Sequence, residues 1–272
     1  IAIFNSRQVA ALTSDQIRVF ASDQLRSMQS NALVGLSTAL VNTFSDTQIN
    51  ALRTGQIAAL NSTQISALNS NQINALSSDK FSAINTVGIA GLTTDQLSLL
   101  SNTQFTGFTT TQIPVLTNTQ LSSIGARFSP EQIVALTSGQ ISAFTSQQLS
   151  TIETDQIAAV EIRDIVGITS IQIAALAANK VSAFKTGQIA AFNSHQIAAF
   201  TTDQLAFISS QQIAAIEVVD LPGLSASQIQ ALESSQIAGF TTNQIAGLNS
   251  NQIAAIQVAD IVGLTKNQLA TL

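Results

Sequence analysis

Few residues in this chain have chemistry to offer, and they are scattered. Asp164, Asp220 and Asp260, with Glu161 and Glu217 nearby, could form a carboxylate site for a cation or a basic partner. No oxygen-rich loop of the kind Ca²⁺ requires is written around them, so they are expected to mark a geometric variant of the local structure. His195 is the single histidine and there is no cysteine, which removes thiolate metal sites, disulfides and any His pair; His195, at an exposed position 3, reads as a solvated side chain. Lys80 and Lys180 read as solvated substitutions. Gly88 and Gly125 belong to no phosphate-binding glycine loop. These residues supply no catalytic, cofactor-binding or metal site.

What surrounds them is a repeat. Eight residues, typified by Asn61-Ser62-Thr63-Gln64-Ile65-Ser66-Ala67-Leu68, recur 33 times along the 272-residue chain. The octads run through residues 5–124, pause for Gly125-Ala126-Arg127-Phe128, and continue in phase through 129–272. A fixed short period marks an array in which each unit buries its apolar face only against its neighbours. Residues 1–272 therefore read as one continuous array, with 125–128 as a bulge that lengthens one connection. The chain opens in mid-octad and ends on a full octad, with no polar capping unit at either end. This reads as part of a longer chain whose targeting signals lie elsewhere.

Composition narrows the partners. Only 9% of residues are charged, the formal net charge is −5, and no basic run occurs, which argues against nucleic acid. Ser, Thr, Asn or Gln returns every few residues, so no apolar run reaches the ~18 residues of a membrane span.

Within the octad, positions 5 and 8 are apolar in all 33 copies, and position 4 is Gln in 25. Two apolar residues three apart share a face of a helix but lie on opposite faces of a strand. Position 1 is Ser, Thr or Asn in 23 copies, as an N-cap requires, and Gln at position 4 completes a capping box. Position 8 of one octad and position 5 of the next form the hydrophobic staple. Pro130 falls at the first helical position, where proline is best tolerated. The pattern predicts an all-α solenoid, one two-turn helix per octad, in an elongated superhelical rod. Small residues at position 7 are expected to allow close backbone approach.

Pro114 and Pro222, inside the expected helices, and the many β-branched isoleucines speak for the alternative, a β-solenoid. Octads 85–92, 161–168, 217–224 and 257–264 depart from the pattern together. They lack the Gln and carry Gly at position 7; the last three have Asp at position 4 and Ile or Val at position 2, expected to cover extra core. Successive aspartates are seven and five octads apart, which does not fix the number of helices per circuit. Recurrent Phe at position 8 reads as core packing.

Two resemblances attach to these residues. Ser129-Pro130-Glu131-Gln132-Ile133-Val134-Ala135-Leu136 resembles the opening of a TAL-effector repeat. That likeness covers one octad, and the family's longer repeat, base-reading pair and basic surface are absent. Copies such as Thr241-Thr242-Asn243-Gln244-Ile245-Ala246-Gly247-Leu248 resemble, over the whole chain, the T-x-x-Q-I-x-A-L arrays of very large bacterial surface proteins of adhesin or haemagglutinin type. That resemblance implies secretion and an extracellular or cell-surface role. The resulting expectation is a non-enzymatic structural or adhesive protein that self-associates end to end or laterally into fibres. The alternatives are an α-solenoid protein-binding scaffold and, more weakly, a binder of ice or mineral surfaces through Ser/Thr rows.

Overall fold

The computed structural model describes residues 1–125 and 127–272, which fall into two compact units, Ile1–Ala135 and Leu136–Leu272. The described residues are helical with no strand, which removes the β-solenoid alternative.

The octad folds as its capping chemistry dictates. In the segment Ser62–Ser66, the Asn61 side chain accepts from the Gln64 N–H at 2.9 Å, while Gln64 Oε1 accepts from the Asn61 N–H at 3.0 Å. The reciprocal pair satisfies two of the helix's orphan donors. Two backbone bonds then define the unit: Ile65 N–H to the Asn61 carbonyl at 2.9 Å, and Leu68 N–H to the Ile65 carbonyl at 3.1 Å. The second is an i→i−3 bond that tightens the last turn and ends the helix. Positions 8 and 1 are extended, as at Leu76 (φ −74°, ψ 129°) and Asn69 (φ −78°, ψ 171°), so the next cap begins at once.

Some octads without a side-chain N-cap tighten further. Ser30–Gly35, Ile162–Gly167, Ala178–Ala183 and Val218–Gly223 are 3₁₀ segments of this kind. Pro222 sits inside one of them, and Pro114 in the 3₁₀ segment Ile113–Val115. Each proline removes one backbone donor, but the position 8 N–H still reaches the position 5 carbonyl, at 2.9 Å for Leu224 and 3.1 Å for Leu116. In so short a helix that closing bond suffices.

Positions 5 and 8 form the core in both units, from Ile17 through Ile245. Each buried side chain contributes about 1.5–3 kcal/mol. That offsets the cost of nucleating a helix too short to persist alone. The phenylalanines pack with them: Phe184 and Phe192, then Phe192 and Phe200, meet edge to face at centroid distances of 5.1 and 5.6 Å.

Candidate functional site

The side chain that organises both units is the position 4 glutamine, and it does more than cap. Gln64 Nε2 donates to the carbonyls of Leu33 and Leu36, both at 2.8 Å, 31 and 28 residues earlier. Gln72 does the same to Val41 and Phe44, Gln204 to Ile173 and Leu176, and Gln236 to Leu205 and Ile208. Each acceptor pair lies at the end of an earlier octad: the position 8 carbonyl has no partner within its own helix, and the position 5 carbonyl, which already accepts the position 8 N–H, takes a second bond. One amide thus caps the start of its own helix through Oε1 and the end of an earlier helix through Nε2. The repeated offset gives a circuit of 28 residues, three and a half octads. These glutamines are buried, Gln204 being only 1% exposed. By contrast Gln8, Gln16 and Gln24 are exposed; their Oε1 atoms still accept from Asn5, Thr13 and Ala21, and no donation from their Nε2 to a carbonyl occurs among the described residues.

Residues 125–128 correct the expectation of a bulge. Gln120 Nε2 reaches the Leu92 carbonyl 28 residues back, but Gln132 reaches those of Phe105 and Phe108, only 27 and 24 residues back. The carbonyl between them in the ladder, that of Leu100, is taken by Arg127 Nη1 at 2.7 Å, with Nε bonded to Ile124 O at 2.8 Å. The guanidinium also lies 5.6 Å from the centre of the Phe105 ring, and Phe128 is buried beside that ring at 5.0 Å. Burial lowers the Arg127 pKa. The insertion therefore advances the ladder as a half-length repeat would: Arg127 stands in for the glutamine and Phe128 for the position 8 apolar residue.

The aspartate octads do not converge. Asp164 and Asp220 are seven octads apart, which is two circuits, so they face the same side of the second unit with a whole circuit between them. Asp260 lies elsewhere around that unit. Among the described residues no three His, Cys, Asp or Glu side chains come together to hold a metal ion. Asp164 pairs with Arg163 at 3.3 Å, and Arg163 also bonds Glu161. Asp260 accepts from Ser234 Oγ at 2.6 Å. The position 7 glycines of these octads have a packing cause. A Cβ would fall 2.2 Å from the Ser138 carbonyl oxygen at Gly167, 2.2 Å from that of Ser194 at Gly223, and 2.7 Å from that of Ser234 at Gly263. The position 2 side chains, in contrast, do not cover core: Ile162 is 58% and Val258 85% exposed. Position 2 lies at the outer start of the helix, and positions 5 and 8 already fill the interior.

His195 is exposed, as its position suggests. Lys180 is not merely solvated: its Nζ lies 2.6 Å from Glu153 Oε2 of the preceding circuit. Among the described residues no helix is long and apolar enough to cross a membrane.

No curated protein matches the chain. The model of the ALTTAQ repeat family matches residues 49–86, 181–217 and 213–250, and the chain is accordingly a repeat protein whose matched stretches resemble that family.

Proposed function

We propose that the chain forms an elongated α-helical solenoid serving as a rigid shaft or fibre in an extracellular, cell-surface assembly, with no catalytic activity. The observation that carries this reading is the glutamine ladder. Within each unit it joins successive circuits by repeated bonds from Nε2, and such a link has no intrinsic stop. The exposed Nε2 groups of Gln8, Gln16 and Gln24 would donate to the carbonyls of a circuit from a second copy. Contacts of that head-to-tail kind, when they do not close, build filaments. With only 9% charged residues, repulsion between neighbouring rods is weak. The exterior location rests on the resemblance to large bacterial surface arrays.

One observation favours a second reading, a protein-binding scaffold. Ile162 and Val166, and two circuits later Val218 and Val219, are exposed on the second unit. Negative-stain electron microscopy with small-angle scattering on the purified protein separates these readings from a compact fold. Long particles of constant cross-section support the shaft. Compact globular particles would remove it.

A further inference from the structure

We propose that Arg26, Arg53 and Lys80 form an oxyanion-binding column on the first unit. They stand at equal intervals along the sequence, one in each of three successive circuits. At that interval, one residue short of a full circuit, side chains meet across adjacent circuits in two ways. Position 6 meets position 1, as where Asn69 Nδ2 donates to Asn42 Oδ1 at 3.1 Å. Position 1 meets position 4, as where Glu153 Oε2 holds Lys180 Nζ at 2.6 Å. Arg26 is at position 6, Arg53 at position 1 and Lys80 at position 4, so the column uses both contacts in succession.

The comparison with Glu153 and Lys180 is the informative one. The second unit places opposite charges at the position 1 and position 4 sites, and they form a salt bridge. The first unit places Arg53 and Lys80 at the same two sites, and none of Arg26, Arg53 and Lys80 forms an ion pair among the described residues. Helix Thr54–Ile57, which Arg53 precedes, packs on helix Ser78–Ala83, which carries Lys80. Arg53 Nη2 is anchored by the Met28 carbonyl at 3.1 Å, which leaves its remaining donors free to face outward. Burial, and then the charge of Arg26, lower the Lys80 pKa, against a smaller upward pull from Asp79. Like charges held together without an ion-pair partner raise the energy of the empty column, and an oxyanion bridging them recovers it. Carboxylate, phosphate and sulfate share the required chemistry, presented either as a free ion or along a polyanionic chain.

Two variants test the column without endangering the fold, because each installs a residue the repeat already uses at that position: Arg53→Asn, an N-cap found in six octads, and Lys80→Gln, the ladder residue. Thermal unfolding would be followed in inorganic phosphate and in chloride of matched ionic strength. The expected result is a phosphate-specific rise of about 2 °C or more for the wild type, near ten times the Kd. Both variants should unfold higher than the wild type without phosphate and lose that specific rise. An equal rise in all three proteins would be general exclusion of phosphate from protein surface and would overturn the proposal. So would no rise in any. Alginate, a polycarboxylate, separates the sources once the site is present. Binding about tenfold or more tighter per anionic group than phosphate assigns a polymer, and equal binding assigns a free oxyanion.

Discussion

Replacing Gln204 dissects the two functions of its amide. Its Oε1 accepts from the Thr201 N–H at 3.0 Å, and its Nε2 donates to Ile173 O at 2.7 Å and Leu176 O at 2.8 Å. Gln204→Ala removes three hydrogen bonds at a buried site, strands the Leu176 carbonyl and leaves the Thr201 N–H without its cap, while Ile173 O keeps its bond from the Leu176 N–H. At about 1 kcal/mol net per bond, with part of the desolvation cost of the stranded groups added, the loss is about 2–4 kcal/mol. Thr201→Ala removes only the hydroxyl that accepts the Gln204 N–H at 3.1 Å, a capping loss of about 1 kcal/mol. Gln204→Glu keeps an oxygen for the cap but sets a carboxylate against two carbonyl oxygens, so it should cost at least as much as alanine at neutral pH. Those oxygens disfavour the charged form and raise the folded-state pKa above the unfolded value of about 4.3. The folded state then binds the proton first, and stability returns as pH falls through the folded pKa towards 4.3. Urea unfolding followed by circular dichroism, at pH 7 and at pH 4.5, reads all three variants. Equal losses for Thr201→Ala and Gln204→Ala would refute the link between circuits, leaving glutamine as a cap alone.

Other substitutions probe the rest of the unit. Ile65→Ala empties a fully buried site and should cost about 2–5 kcal/mol by urea unfolding, whereas Thr63→Ala, which removes an exposed bond to Asn61, should cost under about 0.5 kcal/mol. Gly223→Ala drives a methyl to 2.2 Å from the Ser194 carbonyl oxygen and should destabilise by about 1–3 kcal/mol; Gly139→Ala, with nothing within 4 Å, should be neutral or stabilising. Arg127→Ala withdraws donors from Leu100 and Ile124, with an expected loss of about 2–4 kcal/mol, and faster amide hydrogen exchange in residues 118–124 would localise it. Comparable exchange in wild type and variant would return residues 125–128 to the status of a surface bulge.

The helix, its caps and its core are legible in the sequence because each is local. Positions 5 and 8 and the S/T/N-x-x-Q spacing lie within one octad, and the structure realises them bond by bond. The circuit is not legible, since its length is three and a half octads and so leaves no integer trace in an eight-residue period. The second function of glutamine does leave a signal. A capping box accepts Glu as readily as Gln, yet position 4 is never Glu in this chain. Glu lacks the donor that the carbonyls of the previous circuit need. Arg127 is hidden because a half-octad looks like an insertion until its rung is counted. The glycines at position 7 do mark close contacts, as the pattern predicts. The exposure of Ile162, Val218 and Val258 escapes a reading that equates apolar type with core.

The glutamine ladder, the half-length repeat and the basic column all require each residue to lie beside the one a circuit later, and a chain without cysteine allows that to be measured directly. Asn42 is exposed, Asn69 is half-buried, and their side chains meet at 3.1 Å across adjacent circuits, whereas Asn85, also exposed, lies a circuit and a half from Asn42. Cysteines placed as Asn42→Cys with Asn69→Cys should be joined within one chain by a short bismaleimide in dilute solution. The pair Asn42→Cys with Asn85→Cys should not. Efficient joining of the second pair, or failure of the first with both thiols accessible, would contradict the circuit of three and a half octads and the glutamine ladder with it.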